Sequence, residues 1–207
     1  MTVGTRSVLF GAHAFWLHPA FTALAWVRLY GFPWDARLWL AFAVHDLGYI
    51  GKKSMDDLEG EKHVELGARI MRVICGDVWG DLTAAHSRYW AKRNERQVSR
   101  LCVADKLAFV LTPAWIYLPM ARATGELDEY MLRARERQAG SAHFTEEESR
   151  QLRSSDTREW LKGLKSYTRR WVEQHRSGCE DTWTIATTPD AANDNPGRLS
   201  TDPAGAL

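Results

Sequence analysis

Apolar residues recur at three- and four-residue spacing along most of the chain, while the two-residue alternation of a half-buried strand is hard to find anywhere. After Pro19, suited to a first helical position, Phe21, Ala25 and Leu29 share a face until Gly31 ends the run. Pro33 and Asp35 open a second helix with the stripe Leu38, Ala41, Phe42 and His45. Residues 47–60, with three glycines and several charges, read as a loop. A third helix is predicted over 61–75, striped by His63, Leu66, Gly67, Ile70 and Ile74, with Gly76 as its stop.

A fourth helix is predicted over 78–92, carrying Trp79, Leu82, His86, Tyr89 and Trp90 on one side. A fifth, over 98–111, presents Leu101, Cys102, Asp105, Ala108 and Phe109 before Pro113 breaks it. Two further stretches follow at 115–123 and 127–138. Thr145 followed by Glu146, Glu147 and Glu148 is a capping-box start. The helix it opens is expected to run to about His175, turning Trp160, Leu164 and Trp171 inward. From about residue 184 small and polar residues replace the large apolar ones, so 184–207 is expected to be a flexible, disordered tail. The fold class is all-α, a single helical domain over 1–180 with no internal repeat.

Composition narrows the partners. Lys plus Arg, 27, against Asp plus Glu, 26, leaves a formal charge of +1, so no global field draws the chain to duplex nucleic acid or to an anionic membrane. No run reaches the ~18 consecutive apolar residues that spanning a bilayer needs, and no cleavage signature follows the apolar stretch 7–16. Three widely spaced cysteines, Cys75, Cys102 and Cys179, argue against a disulfide framework. A cytoplasmic protein is expected. The 10 tryptophans predict an aromatic core, and Trp16, Trp26, Trp39, Trp90 and Trp115 read as packing residues before a base-stacking platform.

His45, His63, His86 and Asp105 each fall on the apolar stripe of a different predicted helix. One inward His is ordinarily a satisfied core residue. Several converging buried ionisable groups need mutual hydrogen bonds or a bound metal. His18 lies at the mouth of the first helix and the adjacent pair His45 and Asp46 ends the second, so six N and O ligands come from five helices. Imidazole with carboxylate suits Mn, Fe, Ni, Co or Zn, whereas Ca or Mg favours an all-oxygen set.

The ordered set of His18, the pair His45-Asp46, His63, His86, and Asp105 within Val103-Ala104-Asp105-Lys106-Leu107 resembles the HD-domain superfamily, over roughly residues 15–110. The resemblance implies an HD-like helical bundle with a C-terminal helical extension. His63 and His86 match the extra ligands of the subgroup that binds two metals, Mn or Fe first among the candidates. Asp46 would bridge the ions, with His18, His45 and Asp105 completing one sphere and His63 and His86 the other. The implied activity is metal-dependent phosphohydrolysis of a nucleotide or other small phosphorylated substrate by metal-bound hydroxide. Di-iron oxygenases share the ligand pattern, and a non-catalytic binding protein of the same fold is a third class. Tyr49 stands where many members carry a Lys three residues beyond the Asp, and Gly48-Tyr49-Ile50 departs from the Gly-Tyr-Pro motif of cyclic-dinucleotide phosphodiesterases.

Phosphate also needs donors outside the metals. Between His86 and Lys106 there are six basic residues against two acids. Of these, Arg88 and Lys106 flank ligands and are expected to act with Asp46 in catalysis. Arg88, Lys92 and Lys52 are the expected substrate contacts, while Lys92, Arg93 and Arg96 read equally as a solvated face. His13, His143 and His175 fit no ligand position and read as surface or loop residues. Whether the chain forms a homo-oligomer is left open.

Overall fold

The structure, a computed structural model, describes residues 1–55, 57–138 and 143–184, the side chains of 135–138 excepted. The described residues are all-α, with eleven α-helices and no strand. In chain order they are α1 (Val3–Phe10), α2 (His18–Tyr30), α3 (Ala36–Val44), α4 (Val64–Cys75), α5 (Asp77–Ala84), α6 (Arg88–Arg93), α7 (Arg100–Leu111), α8 (Ala114–Thr124), α9 (Glu126–Gln138), α10 (Glu146–Leu152) and α11 (Thr157–His175). The tail expected from residue 184 lies, beyond Thr184 itself, outside the described residues.

Short polar side chains set the helix starts. Asp35, Ser87, Ser99 and Asp156 each accept a backbone N–H from the first turn they precede, satisfying a donor with no intrahelical partner. Thr145 and Glu148 form the expected reciprocal capping box. These caps also divide two predicted helices. Ser87 is extended and caps α6, so the stretch over 78–92 becomes α5 and α6 with His86 in the turn between. The helix opened at Thr145 stops at Leu152, and Asp156 starts α11 afresh. The loop over 47–60 contains a 3-10 turn at Leu47–Tyr49, and a second at Gly60–His63 leads into α4. Helix α1, capped by Thr2, was not anticipated.

Helix α7 runs through the middle, buried at Leu101, Cys102, Val103, Ala104, Asp105, Ala108 and Val110. It packs against α2 and α11. One core joins Ala25, Trp26, Phe42, Met71, Leu101 and Ala104. A second joins Tyr117, Leu118, Leu127, Leu152, Trp160 and Leu161 across α8 to α11. The α3–α4 contact requires Gly67, where a Cβ would lie 2.5 Å from the Val44 carbonyl oxygen. That close approach turns α4 so that Val64, Ala68 and Met71 are buried and Ile74 is exposed, against the expected stripe.

Trp26, Trp160 and Trp171 are buried, but Trp16, Trp34, Trp39 and Trp115 are exposed. Trp16 and Trp39 bond their indole N–H to the Leu9 and Pro33 carbonyls, so a polar edge holds each ring at the surface. Among the described residues no single helix is long and apolar enough to cross a membrane. The pair α7 and α8 passes only jointly and is bent by 101°. The three cysteines are free.

Candidate metal centre

His18, the first residue of α2, the pair His45-Asp46 at the end of α3, His63 at the end of a 3-10 turn, His86 after α5 and Asp105 in α7 come together as one buried cluster. All six expected ligands are in it. Two carboxylates and four imidazoles here enclose a region that water barely reaches.

Backbone carbonyls three residues back fix three of the imidazoles: Phe42 and Thr83 in the last turns of α3 and α5, and Gly60 at the start of the 3-10 turn that His63 ends. The Nδ1–H of His45 donates to the Phe42 carbonyl at 3.0 Å, that of His63 to Gly60 at 2.8 Å, and that of His86 to Thr83 at 2.6 Å. A carbonyl only accepts, so each Nδ1 carries a proton and each ring turns its Nε2 inward. The C-terminal ends of α3 and α5 also bring their negative dipole ends to the cluster, which favours a cation.

The two oxygens of Asp46 face opposite ways. Oδ2 is 3.3 Å from His18 Nε2 and 3.2 Å from His45 Nε2, while Oδ1 is 3.3 Å from His86 Nε2 and 3.8 Å from His63 Nε2. Asp105 Oδ1 lies 2.9 Å from His18 Nε2 and 3.8 Å from His45 Nε2. The groups are thus His18, His45, Asp46 and Asp105 on one side and Asp46, His63 and His86 on the other, with ligand atoms in each within 4.8 Å of one another. Transition-metal bonds of about 2.0–2.2 Å put neighbouring ligand atoms roughly 3 to 3.5 Å apart, the spacing of the closer pairs.

The cluster does not satisfy itself. His63 Nε2 and His86 Nε2 are 3.0 Å apart, and with both Nδ1 protons committed two lone pairs meet with no proton between them. Protonating both rings would instead bring two cations together. His45 Nε2 and Asp46 Oδ2, though close, are not aligned for a hydrogen bond and are buried without a partner. A cation on each side of Asp46 resolves these contacts, so the residues fit a metal.

Electrostatics agrees. Burial, reinforced by His86, holds His63 well below its ordinary value, and burial holds His86 down against its contact with Asp46. Burial opposes the charge of Asp46, but His45 and the His86 contact hold its carboxyl well below the usual range. Lys106 and His18 do the same for Asp105 against its own burial. His45 would be lowered by burial, yet the charge of Asp46 and contacts with Asp105 raise it to about 10.

The expected basic residues divide. Lys106 places Nζ 2.8 Å from Asp105 Oδ2 with about a third of its side chain exposed, 35%. Burial lowers its affinity for the proton, but Asp105 more than compensates and it stays a cation. Arg88 contacts the C-terminal segment. Its Nε donates to Asp181 Oδ2 at 3.2 Å and its terminal nitrogen to the Tyr167 hydroxyl at 3.4 Å, and its guanidinium stacks 4.7 Å from the Trp171 ring centre. Lys92 Nζ donates to the Asp181 carbonyl at 3.4 Å. Lys52 sits against α1, its carbonyl accepting the Gly4 N–H.

Of the three histidines read as surface or loop residues, His13 and His143 lie in turns and His175 needs correction. His175 is buried on α11, stacked on Trp171 and bonded through Nδ1 to the Trp171 carbonyl. His13 is only partly exposed, its ring against those of His18 and Tyr49, and His143 stacks on Trp183. Tyr49, noted only as a departure from a motif, stacks flat on His63 at 4.0 Å. Gly48 allows that approach, since a Cβ there would lie 1.7 Å from the His63 carbonyl oxygen. No protein-family model, curated protein or solved structure matches the chain.

Proposed function

We propose that the chain is a metal-dependent phosphohydrolase of HD-domain type that cleaves a phosphoester or phosphoanhydride of a nucleotide or another small phosphorylated molecule. The observation that carries this reading is the opposed orientation of the two Asp46 oxygens, one toward His18 and His45, the other toward His63 and His86. His18, His45, Asp46 and Asp105 would hold one divalent ion and Asp46, His63 and His86 a second. Mn or Fe suits the mixed N and O set best, with Ni, Co or Zn also compatible. Such a pair supplies charge neutralisation for phosphoryl oxygens and acidity for an attacking water.

The protein's own residues do the positioning. The Nδ1–carbonyl bonds fix three imidazoles before any ligand arrives, so no reorientation is needed on binding. Lys106, held at Asp105, is a permanent cation at the edge of the centre, placed to pair with an anionic substrate. The Asp181 contacts of Arg88 and Lys92 favour a role in holding the C-terminal segment, which leaves Lys106 as the stronger candidate for direct phosphate contact.

The test is to purify the chain without chelator, load it with Mn and screen nucleotides and small phosphoesters for phosphate release. Metal-dependent release is expected. It should vanish in Asp46→Ala, and kcat/KM should fall roughly 10- to 100-fold in Lys106→Ala, the loss of one charge-assisted contact. Oxygen consumption by Fe-loaded protein with no phosphate release would assign a di-iron oxygenase instead. Absence of both, in metal-loaded protein, would leave a binding protein.

A further inference from the structure

Glu126 is a fully buried carboxylate outside the metal cluster, 0% exposed, and its surroundings are built for it. It opens α9 and reaches back to the link between α1 and α2. Oε1 accepts the Ala12 N–H at 3.3 Å and the Thr124 hydroxyl at 2.5 Å, and Oε2 accepts the Tyr130 hydroxyl at 3.4 Å. Gly11 makes the room, since a Cβ there would stand 1.9 Å from Oε1.

His13 stands between this carboxylate and the metal cluster. Its Nδ1 is 2.9 Å from Ser7 Oγ and 3.6 Å from Glu126 Oε2. Its ring lies against His18, centres 5.7 Å apart, and against Tyr49, 4.9 Å apart. Tyr49 in turn stacks on His63. His18 and His63 belong to opposite sides of Asp46. One imidazole, anchored from behind by Glu126 and Ser7, therefore braces a ligand of each half directly or through one ring.

We infer that His13 and Glu126 are a positioning pair that sets the spacing of the two halves of the centre, and so the binding of a metal pair in place of a single ion. This rests on the dinuclear reading of the same cluster. Outer partners of ligands orient them, and losing one typically costs roughly 10- to 100-fold in metal affinity.

The experiment is Mn(II) titration by calorimetry, with EPR of the loaded protein, on the wild type, His13→Ala and Glu126→Gln at matched thermal midpoints. The wild type should show an exchange-coupled Mn(II) pair. His13→Ala should weaken the second binding event roughly 10- to 100-fold and shift the spectrum toward uncoupled Mn(II), and Glu126→Gln should do so to a lesser degree. If His13→Ala does not fold, His13→Gln, similar in size, carries the test. A coupled pair with unchanged affinity in folded His13 variants overturns the inference and leaves the dinuclear reading intact. A wild type that takes up no Mn(II) overturns both.

Discussion

Two buried carboxylates, Asp46 and Glu148, show how differently the chain treats buried charge. At the α10–α11 corner, Glu148 Oε1 accepts from the Ser166 hydroxyl and Arg170 Nε, each at 2.9 Å, and Oε2 from the Thr145 N–H at 3.0 Å and the Arg170 terminal nitrogen at 2.6 Å. Every lone pair has a donor, and Arg170 and the Thr145 cap hold the carboxyl below its usual range despite burial. Asp46 is also buried, yet it is ringed by four imidazole nitrogens, and three of those rings have committed their Nδ1 protons to backbone carbonyls. A satisfied cluster is finished when the chain folds. An unsatisfied one of this composition could hold a metal ion, which would supply the partners its buried polar atoms lack.

The comparison breaks most decisively at Asp46. Asp46→Ala should abolish metal retention, measured by elemental analysis after desalting, since both ligand groups lose their shared member. Glu148→Ala should leave metal content unchanged and instead lower stability by about 2–4 kcal/mol, because it strips Arg170, Ser166 and the helix cap of their acceptor. Denaturant midpoints compare the two. Arg88→Ala should behave like a weaker Glu148 variant, losing about 1–3 kcal/mol through its Asp181 and Trp171 contacts, again with metal content intact. A loss of turnover without a loss of stability would move Arg88 back to the substrate.

The smallest effect is in acid. Burial opposes the charge of Asp181, but Arg88, with the Thr184 and Trp171 contacts, lowers its pKa from 3.8 to about 2. The folded value lies below the unfolded one, so this stabilisation is fully present above pH 3.8 and fades as the pH falls toward 2. Thermal midpoints from pH 5 to pH 2 should fall less steeply in Asp181→Asn than in the wild type.

Four of the six residues, His45, His63, His86 and Asp105, were legible as polar side chains on apolar helical stripes, whereas His18 and Asp46 entered by their places at helix ends and by the ordered pattern they complete. The way the rings are locked was not. It depends on where helices stop, and the break at Ser87 that lets the His86 ring turn back onto the Thr83 carbonyl is invisible to an apolar stripe running through it. The exposed Trp16 and Trp39 were misread for a related reason, since an indole bonded to a backbone carbonyl sits stably at the surface. Long-range pairings lay further out of reach. Arg88 is next but one to a ligand, and its partner Asp181 lies 93 residues on. Glu126 reaches Ala12 across 114 residues and looks, in sequence, like any acidic residue in a first helical turn.

Whether Asp46 joins two metal sites is decided by metal stoichiometry at saturating Mn, in the wild type and in His63→Ala. The wild type should bind two ions per chain and the variant one, the survivor held by His18, His45, Asp46 and Asp105. A wild type that binds no metal, or a His63→Ala protein that binds as many ions as the wild type, would contradict it.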